Sequence, residues 1–203
     1  GDVGKYLLES GVSVGLRGLC YYDSGARSFY TIDKPVMAPA DLKDMNVRVM
    51  QSKTSIALMN ALGANPIAID WGELYTSLQQ GRVTGAENNP PSFHTSGHYE
   101  VCKFYSLDEH SRIPDMLLIS EEIWQQLTPE VQAMVQEAAS ESETYQRKLW
   151  KEMTEESYRV VREAGVEILH PDKAAFQEAV AAMHASYEGT EVGALIKNIQ
   201  AVE

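Results

Sequence analysis

Cysteine is nearly absent from this 203-residue chain, with only Cys20 and Cys102 present. Two thiols cannot build the disulfide framework of a small secreted scaffold, and their spacing fits no zinc site. The composition favours buried free thiols over a disulfide, and the redox compartment is not legible from them. Long apolar runs are also missing. Met116-Leu117-Leu118-Ile119 typifies the longest, far short of the roughly 20 residues that a membrane helix needs. The opening Gly1-Asp2-Val3-Gly4-Lys5 has no basic stretch followed by a hydrophobic one. No signal peptide is expected there, and an exported protein would be present in processed or truncated form. Positive charge is scarce, since 17 Lys and Arg stand against 29 Asp and Glu, a net charge of −12. Such a chain has no overall attraction to phosphate backbones, so nucleic acid is not among the expected partners.

Enzyme signatures are lacking as well. The sequence contains no GxGxxG after a strand, no GxxxxGK[ST], no GxSxG and no HExxH. His94 and His98 have the spacing of two zinc ligands on one helix, but no third ligand stands near and Gly97 weakens the helix between them. Surface or capping histidines are the plainer reading. Glu109 and His110 could form an acid–base pair, yet no nucleophile accompanies them in sequence. No cofactor and no metal is expected.

What is present is an ordinary globular composition, 44% hydrophobic and 23% charged, long enough for one large domain or two small ones. The first half alternates strand-like and helix-like runs. Val12 to Tyr22 reads as a strand bent at Gly15 and Gly18, and Val47-Arg48-Val49-Met50 as a short buried strand. Lys53 to Leu62 has helical spacing closed by Gly63, Ile67-Ala68-Ile69 is another strand, and Gly72 to Gln80 a helix closed by Gly81. Arg82 to Glu87 then leads back into the sheet. This alternation predicts an α/β fold with a mostly parallel sheet. From Thr128, a plausible N-cap before Pro129, apolar residues recur at helical spacing with no glycine or further proline until Gly165. One helix from about Pro129 to Glu163 follows, on the order of 50 Å long. Val166 to Leu169 should be a strand, and Lys173 to Tyr187 one more helix.

Three sites stand out. Arg48 lies among apolar residues, where a guanidinium is costly to bury unless paired or lining a cavity. It reads either as a structural salt bridge or as a rigid fork for a carboxylate, with Arg27 a second candidate. Trp71 sits at a strand-to-helix junction, the kind of place where α/β folds bind ligands, although a tryptophan is more often core. Asn88, stiffened by Pro90 and Pro91, is either a fixed donor–acceptor or a turn residue.

Taken in order, Pro39-Ala40-Asp41-Leu42-Lys43-Asp44-Met45-Asn46-Val47-Arg48-Val49, Leu62-Gly63-Ala64-Asn65-Pro66, Gly72 to Gly81 and Gly85-Ala86-Glu87-Asn88 resemble the solute-binding proteins of tripartite ATP-independent periplasmic (TRAP) transporters. Asp44 stands where the family usually has glycine. The resemblance runs from near Val12 to the C-terminus, and it implies an α/β fold like that of type II periplasmic binding proteins. Two lobes would be joined by crossing strands and the long helix, with residues 1–24 and 114–153 in one lobe and 25–113 and 154–203 in the ligand-binding lobe. A complete member carries a further N-terminal segment, so the first lobe would be incomplete here. The resemblance further implies that Arg48 grips the ligand carboxylate, Arg27 assists, Asn88 orders the clasp and Trp71 lies beneath the ligand. Ser52, Glu73, Glu109 and His110 complete the expected set. Glu87-Asn88-Asn89-Pro90-Pro91-Ser92-Phe93 and Tyr105-Ser106-Leu107-Asp108-Glu109-His110 look most like members that bind sugar acids such as glucuronate and galacturonate. The implied partners are that organic acid and the membrane subunits of a TRAP transporter, and the implied compartment is the periplasm. An enzyme of sugar-acid metabolism using Glu109 and His110, and a ligand-sensing module without transport, are the alternatives.

Overall fold

The long helix begins where its cap signals place it: Thr128 Oγ1 accepts from the Val131 amide at 3.4 Å and Pro129 occupies the first turn. It runs unbroken from Pro129 to Glu163, and Gly165, with φ 90°, turns the chain out of it. The computed structural model describes residues 1–202. In chain order the elements are α1 (Asp2–Ser10), β1 (Leu16–Tyr22), β2 (Ala26–Thr31), β3 (Asn46–Val49), α2 (Lys53–Ala61), β4 (Asn65–Ala68), α3 (Trp71–Gln79), β5 (Gly85–Asn88) and α4 (Pro90–Thr95). They continue through β6 (Phe104–Arg112), β7 (Asp115–Ser120), α5 (Glu121–Gln126), α6 (Pro129–Glu163), β8 (Glu167–Leu169), α7 (Lys173–Ala179), α8 (Ala181–Ala185) and α9 (Glu191–Gln200). No helix among the described residues is long and apolar enough to cross a membrane.

The chain divides into two compact units and passes between them after Ser24, Arg112, Met153 and Gly193. The first holds Gly1–Ser24, Ile113–Met153 and residues 194–202. In it β1 pairs antiparallel with β7, with an irregularity between Gly18 and Cys20 near one expected bend, whereas Val12–Val14, expected in the strand, form a 3-10 turn closed by left-handed Gly15 before the strand begins. Leu19, Cys20, Trp124 and Ala139 form its core, and Arg17 grips Glu121 through two hydrogen bonds of 2.6 and 2.9 Å. Both cysteines are buried and free.

The second unit, Gly25–Arg112 with Thr154–Gly193, holds a six-stranded sheet in the order β4-β3-β5-β2-β6-β8. β3 runs parallel to β4 and β5, and β6 parallel to β8, as strand–helix alternation requires. β2 departs from the expected pattern. It lies between β5 and β6 and runs antiparallel to both, which makes the sheet mixed. Gly85 permits the β2–β5 pairing, because a Cβ there would meet the Thr31 side chain at 2.8 Å and the Tyr30 carbonyl at 2.9 Å. Side chains alternate across the sheet. Tyr30, with Leu74, Leu78, Phe93, Tyr105 and Val161, packs one core, while Phe29, with Val47, Val49, Met59 and Phe176, packs the other. The helix expected over Lys173 to Tyr187 breaks into α7 and α8 at Val180, which is itself buried in the second core.

Candidate functional site

Strand alternation explains Arg48. Val47 and Val49 enter the second core, so the residue between them faces away from it, at the carboxyl end of β3. Arg48 is only 4% exposed and makes no salt bridge among the described residues. Its Nε donates to the Ile69 carbonyl at 2.8 Å, which orients the planar group and leaves both terminal nitrogens without a hydrogen bond among the described residues. Burial, and then the charge of Arg27, hold its pKa below the ordinary arginine value although Tyr30 and Glu87 partly offset them. Trp71 opens α3 just beyond β4, and the Arg48 guanidinium lies 5.5 Å from the centre of its ring. The indole is 43% exposed rather than core. A rigid, unpaired fork beside an open aromatic face suits a molecule with a carboxylate at one end and an apolar ring face.

Arg27 is arranged differently. Its Nε and Nη2 donate to the two carboxylate oxygens of Glu87 at 2.5 and 2.8 Å, Nη2 also reaches the Glu87 carbonyl at 2.9 Å, and Nη1 donates to Asn88 Oδ1 at 2.9 Å. The guanidinium is thus largely used by the protein, and it holds Asn88 in one orientation. Asn88 Oδ1 also accepts from the Asn89 amide at 2.9 Å, so the Asn88 side-chain NH2 is the end left without a partner among the described residues.

A break in the β2–β6 ladder builds the rest. Arg27 pairs with Ser111 and Phe29 with Ser106, so β6 carries extra residues opposite Ser28. Glu109 takes a left-handed φ of 50° in this bulge, its amide donating to Ser28 Oγ at 3.1 Å, and the Phe29 amide donates to Asp108 Oδ1 at 3.1 Å. The bulge turns neighbouring side chains apart. His110 is buried, stacked on Phe29 at 4.4 Å, with Nδ1 2.6 Å from Asp108 Oδ2 and Nε2 3.6 Å from Glu87 Oε2. The second separation is an ion-pair contact, too long for a hydrogen bond, and Nε2 has no hydrogen-bond partner among the described residues. Burial disfavours the imidazolium, but Asp108 and Glu87 outweigh it and raise the pKa to about 9. Burial likewise opposes the charge on Glu87, yet His110 and Arg27 hold its pKa below the ordinary carboxylate value. Glu109 is instead exposed and ion-paired with Lys173. The two residues considered as an acid–base pair are therefore not brought together, because the bulge sends one inward and the other outward.

Of the remaining candidates, Ser52 caps α2, its Oγ accepting from the Ser55 amide at 3.4 Å. Glu73 is exposed in the first turn of α3, where a negative charge complements the helix dipole. His98, expected at the surface, is 1% exposed. Its Nδ1 lies 2.9 Å from the Tyr30 hydroxyl, which satisfies a nitrogen that would otherwise be stranded in the core. Asp108 was missed by sequence reasoning, although its two-residue spacing from His110 in a strand places both on one face and was the available signal. His94 and His98 share no metal cluster, and none exists among the described residues.

Comparison with known proteins places these features in context. The model of the family described as "DctP: Bacterial extracellular solute-binding protein, family 7" matches residues 1–190. A curated relative from Chromohalobacter salexigens, described as a solute-binding protein, is 36% identical over 203 residues, covering 98% of this chain and 60% of its own length. A TRAP periplasmic solute-binding protein from the same species, solved with bound D-glucuronate, superposes with a TM-score of 0.95 at 35% identity, over 100% of this chain and 68% of its own. A TRAP periplasmic solute-binding protein from Xanthobacter autotrophicus, solved with bound β-D-galacturonate, gives a TM-score of 0.92 at 42% identity, over 100% and 68% of the two chains. The chain spans 60%, 53% and 55% of the length of three of the curated relatives it matches, less than two thirds of each.

Proposed function

The chain belongs to family 7 of the bacterial extracellular solute-binding proteins, and from that premise we propose that it captures a uronate, such as glucuronate or galacturonate, in the periplasm for the membrane subunits of a TRAP transporter. The observation that carries the reading is Arg48. It is a buried guanidinium fixed by the Ile69 carbonyl, with neither terminal nitrogen hydrogen-bonded among the described residues and an exposed tryptophan beside it. Those terminal nitrogens take the two oxygens of the ligand carboxylate, and Trp71 takes the apolar face of the sugar ring. Arg27, Glu87, Asp108 and His110 are paired among themselves, so they act as the frame that holds Asn88 and leave Arg48 as the uncompensated charge. Asn88 offers its NH2 to a ligand oxygen. Ser52, which caps α2, and Glu73, in the first turn of α3, are further candidates for accepting sugar hydroxyls, while Glu109 pairs with Lys173. Solved relatives carrying glucuronate and galacturonate support the choice of a sugar acid. The ligand-binding lobe is the second unit, and the first unit belongs to the other lobe.

The test is competition binding on the 203-residue protein. D-glucuronate and D-galacturonate should each raise its melting temperature, a hundredfold excess over Kd adding about 2.7 kcal/mol of stability. Succinate should compete poorly, because it covers no indole. Succinate displacing the uronate would refute the sugar-acid reading, and conversion of the uronate into product would refute the binding reading altogether.

A further inference from the structure

Trp71 poses a physical problem. It is the first residue of α3, it is 43% exposed, and an exposed side chain at a helix start is free to move among rotamers. A mobile indole makes a poor platform, because binding must then immobilise it. Among the described residues, one cation and one aromatic ring lie against it. The Arg48 guanidinium lies 5.5 Å from its ring centre, and the His98 imidazole meets it edge-on, with centroids 4.9 Å apart and an interplanar angle of 63°. Arg48 is the group the ligand is to engage, so the contact independent of ligand is His98.

His98 is itself held. The imidazole is 1% exposed, its Nδ1 is tied to the Tyr30 hydroxyl at 2.9 Å, and Tyr30 is fully buried among Phe93, Tyr105 and Leu74. Tyr30 packs at a tilt of 30° against Phe93 at 4.6 Å and meets Tyr105 edge-on at 6.4 Å, which fixes the phenol ring. A chain of contacts therefore runs from the sheet core through the Tyr30 hydroxyl and the His98 ring to the face of an exposed indole. We infer that His98 is a positioning residue, which holds the Trp71 indole in its ligand-ready orientation through an edge-to-face contact and so favours acids that carry a ring over small flexible ones. Burial, and then the Arg48 charge, lower the His98 pKa to about 4, so at neutral pH the ring adds no second positive charge beside the carboxylate fork.

The preference for ring-bearing acids rests on the proposed uronate site, but the positioning itself does not, and the experiment separates the two. In 15N-labelled, ligand-free protein the Trp71 indole N–H should show a high order parameter, falling clearly in His98→Ala. An unchanged value overturns the inference whether or not any ligand binds. Should the alanine variant fail to fold, Tyr30→Phe, which unties the imidazole, must loosen the indole in the same way. Calorimetry with glucuronate then reads the consequence. Freezing one extra side chain on binding corresponds to an affinity loss of about two- to tenfold, expected for His98→Ala in the wild-type background and absent in the Trp71→Ala background. Equal losses in both backgrounds mean that His98 acts on the fold or on the ligand directly, which overturns the inference. His98→Phe keeps an aromatic edge against the indole and should retain wild-type affinity, and a loss as large as that of the alanine variant overturns it too. Wild-type protein that binds no glucuronate sinks the uronate reading alone, with the order parameter still deciding the role of His98.

Discussion

A single guanidinium separates a charge from a fork. Arg48→Lys keeps the positive charge but replaces two parallel donors by one point charge on a flexible stem. Losing charge-assisted hydrogen bonds of about 1.5–3 kcal/mol should weaken glucuronate binding roughly ten- to hundredfold in calorimetry. Equal affinity in the lysine variant would remove Arg48 from the site. A second residue-scale test lies outside the site. Asp44 has a φ of 63°. Left-handed backbone is strained for residues bearing a Cβ, least so for Asp and Asn, and costs glycine nothing. Asp44→Gly should add about 0.5–1 kcal/mol of stability, the relief of strain outweighing the extra freedom of the unfolded chain. The urea midpoint should rise, and a fall would show that the Asp44 side chain contributes more than its backbone costs.

At the scale of elements, the bulge in β6 does most to shape the site. It carries Asp108 and His110 inward against Glu87 and places Glu109 outside with Lys173. Ionisation makes this arrangement visible in stability. The His110 pKa is raised to about 9 in the folded protein, against about 6.5 in the unfolded chain. Its contribution is therefore complete below pH 6.5 and is lost as the pH rises through 9, the folded state holding the extra proton across that window. Glu87 works in the other direction. Its lowered pKa contributes above the unfolded carboxylate value and is lost as the pH falls through the folded one. Denaturation in urea between pH 6.5 and 9 should show stability falling by up to about 1.4 kcal/mol per pH unit from this one group. His110→Asn should flatten that slope, and an unaltered slope would place the proton elsewhere.

For the whole molecule the relevant quantity is the charge of −12. On the proposed reading, an anionic ligand would be repelled by this net charge at long range and attracted at short range by the buried Arg48 guanidinium. Salt screens the distant repulsion more than the short contact, since the Debye length is about 10 Å at 0.1 M. The association rate of glucuronate, followed by stopped-flow tryptophan fluorescence, should stay flat or rise between 10 mM and 500 mM salt, values on the order of those used to span the screening range. A steep fall would mean a positive field reaches out to meet the ligand.

The sequence by itself determined what depends on neighbours along the chain. Thr128, Pro129 and Gly165 bound the long helix, Gly63 and Gly81 mark helix ends, and Arg48 between Val47 and Val49 stands out as a charge the core cannot accept unaided. Such signals are local because caps, glycine conformations and side-chain alternation act within a few residues. Only the tertiary structure decided the partners. Arg27 meets Glu87 across 60 residues, Phe29 meets Asp108 across 79, and Tyr30 meets His98 across 68. Each pairing follows from placing β2 antiparallel between β5 and β6, a choice that strand–helix alternation does not encode. Through Tyr30 on that strand, the same placement gives His98, expected at the surface, a buried hydrogen-bond partner. Residue types marked two arginines as candidates; the order of strands decided that Arg27 pairs with Glu87 while Arg48 makes no salt bridge among the described residues.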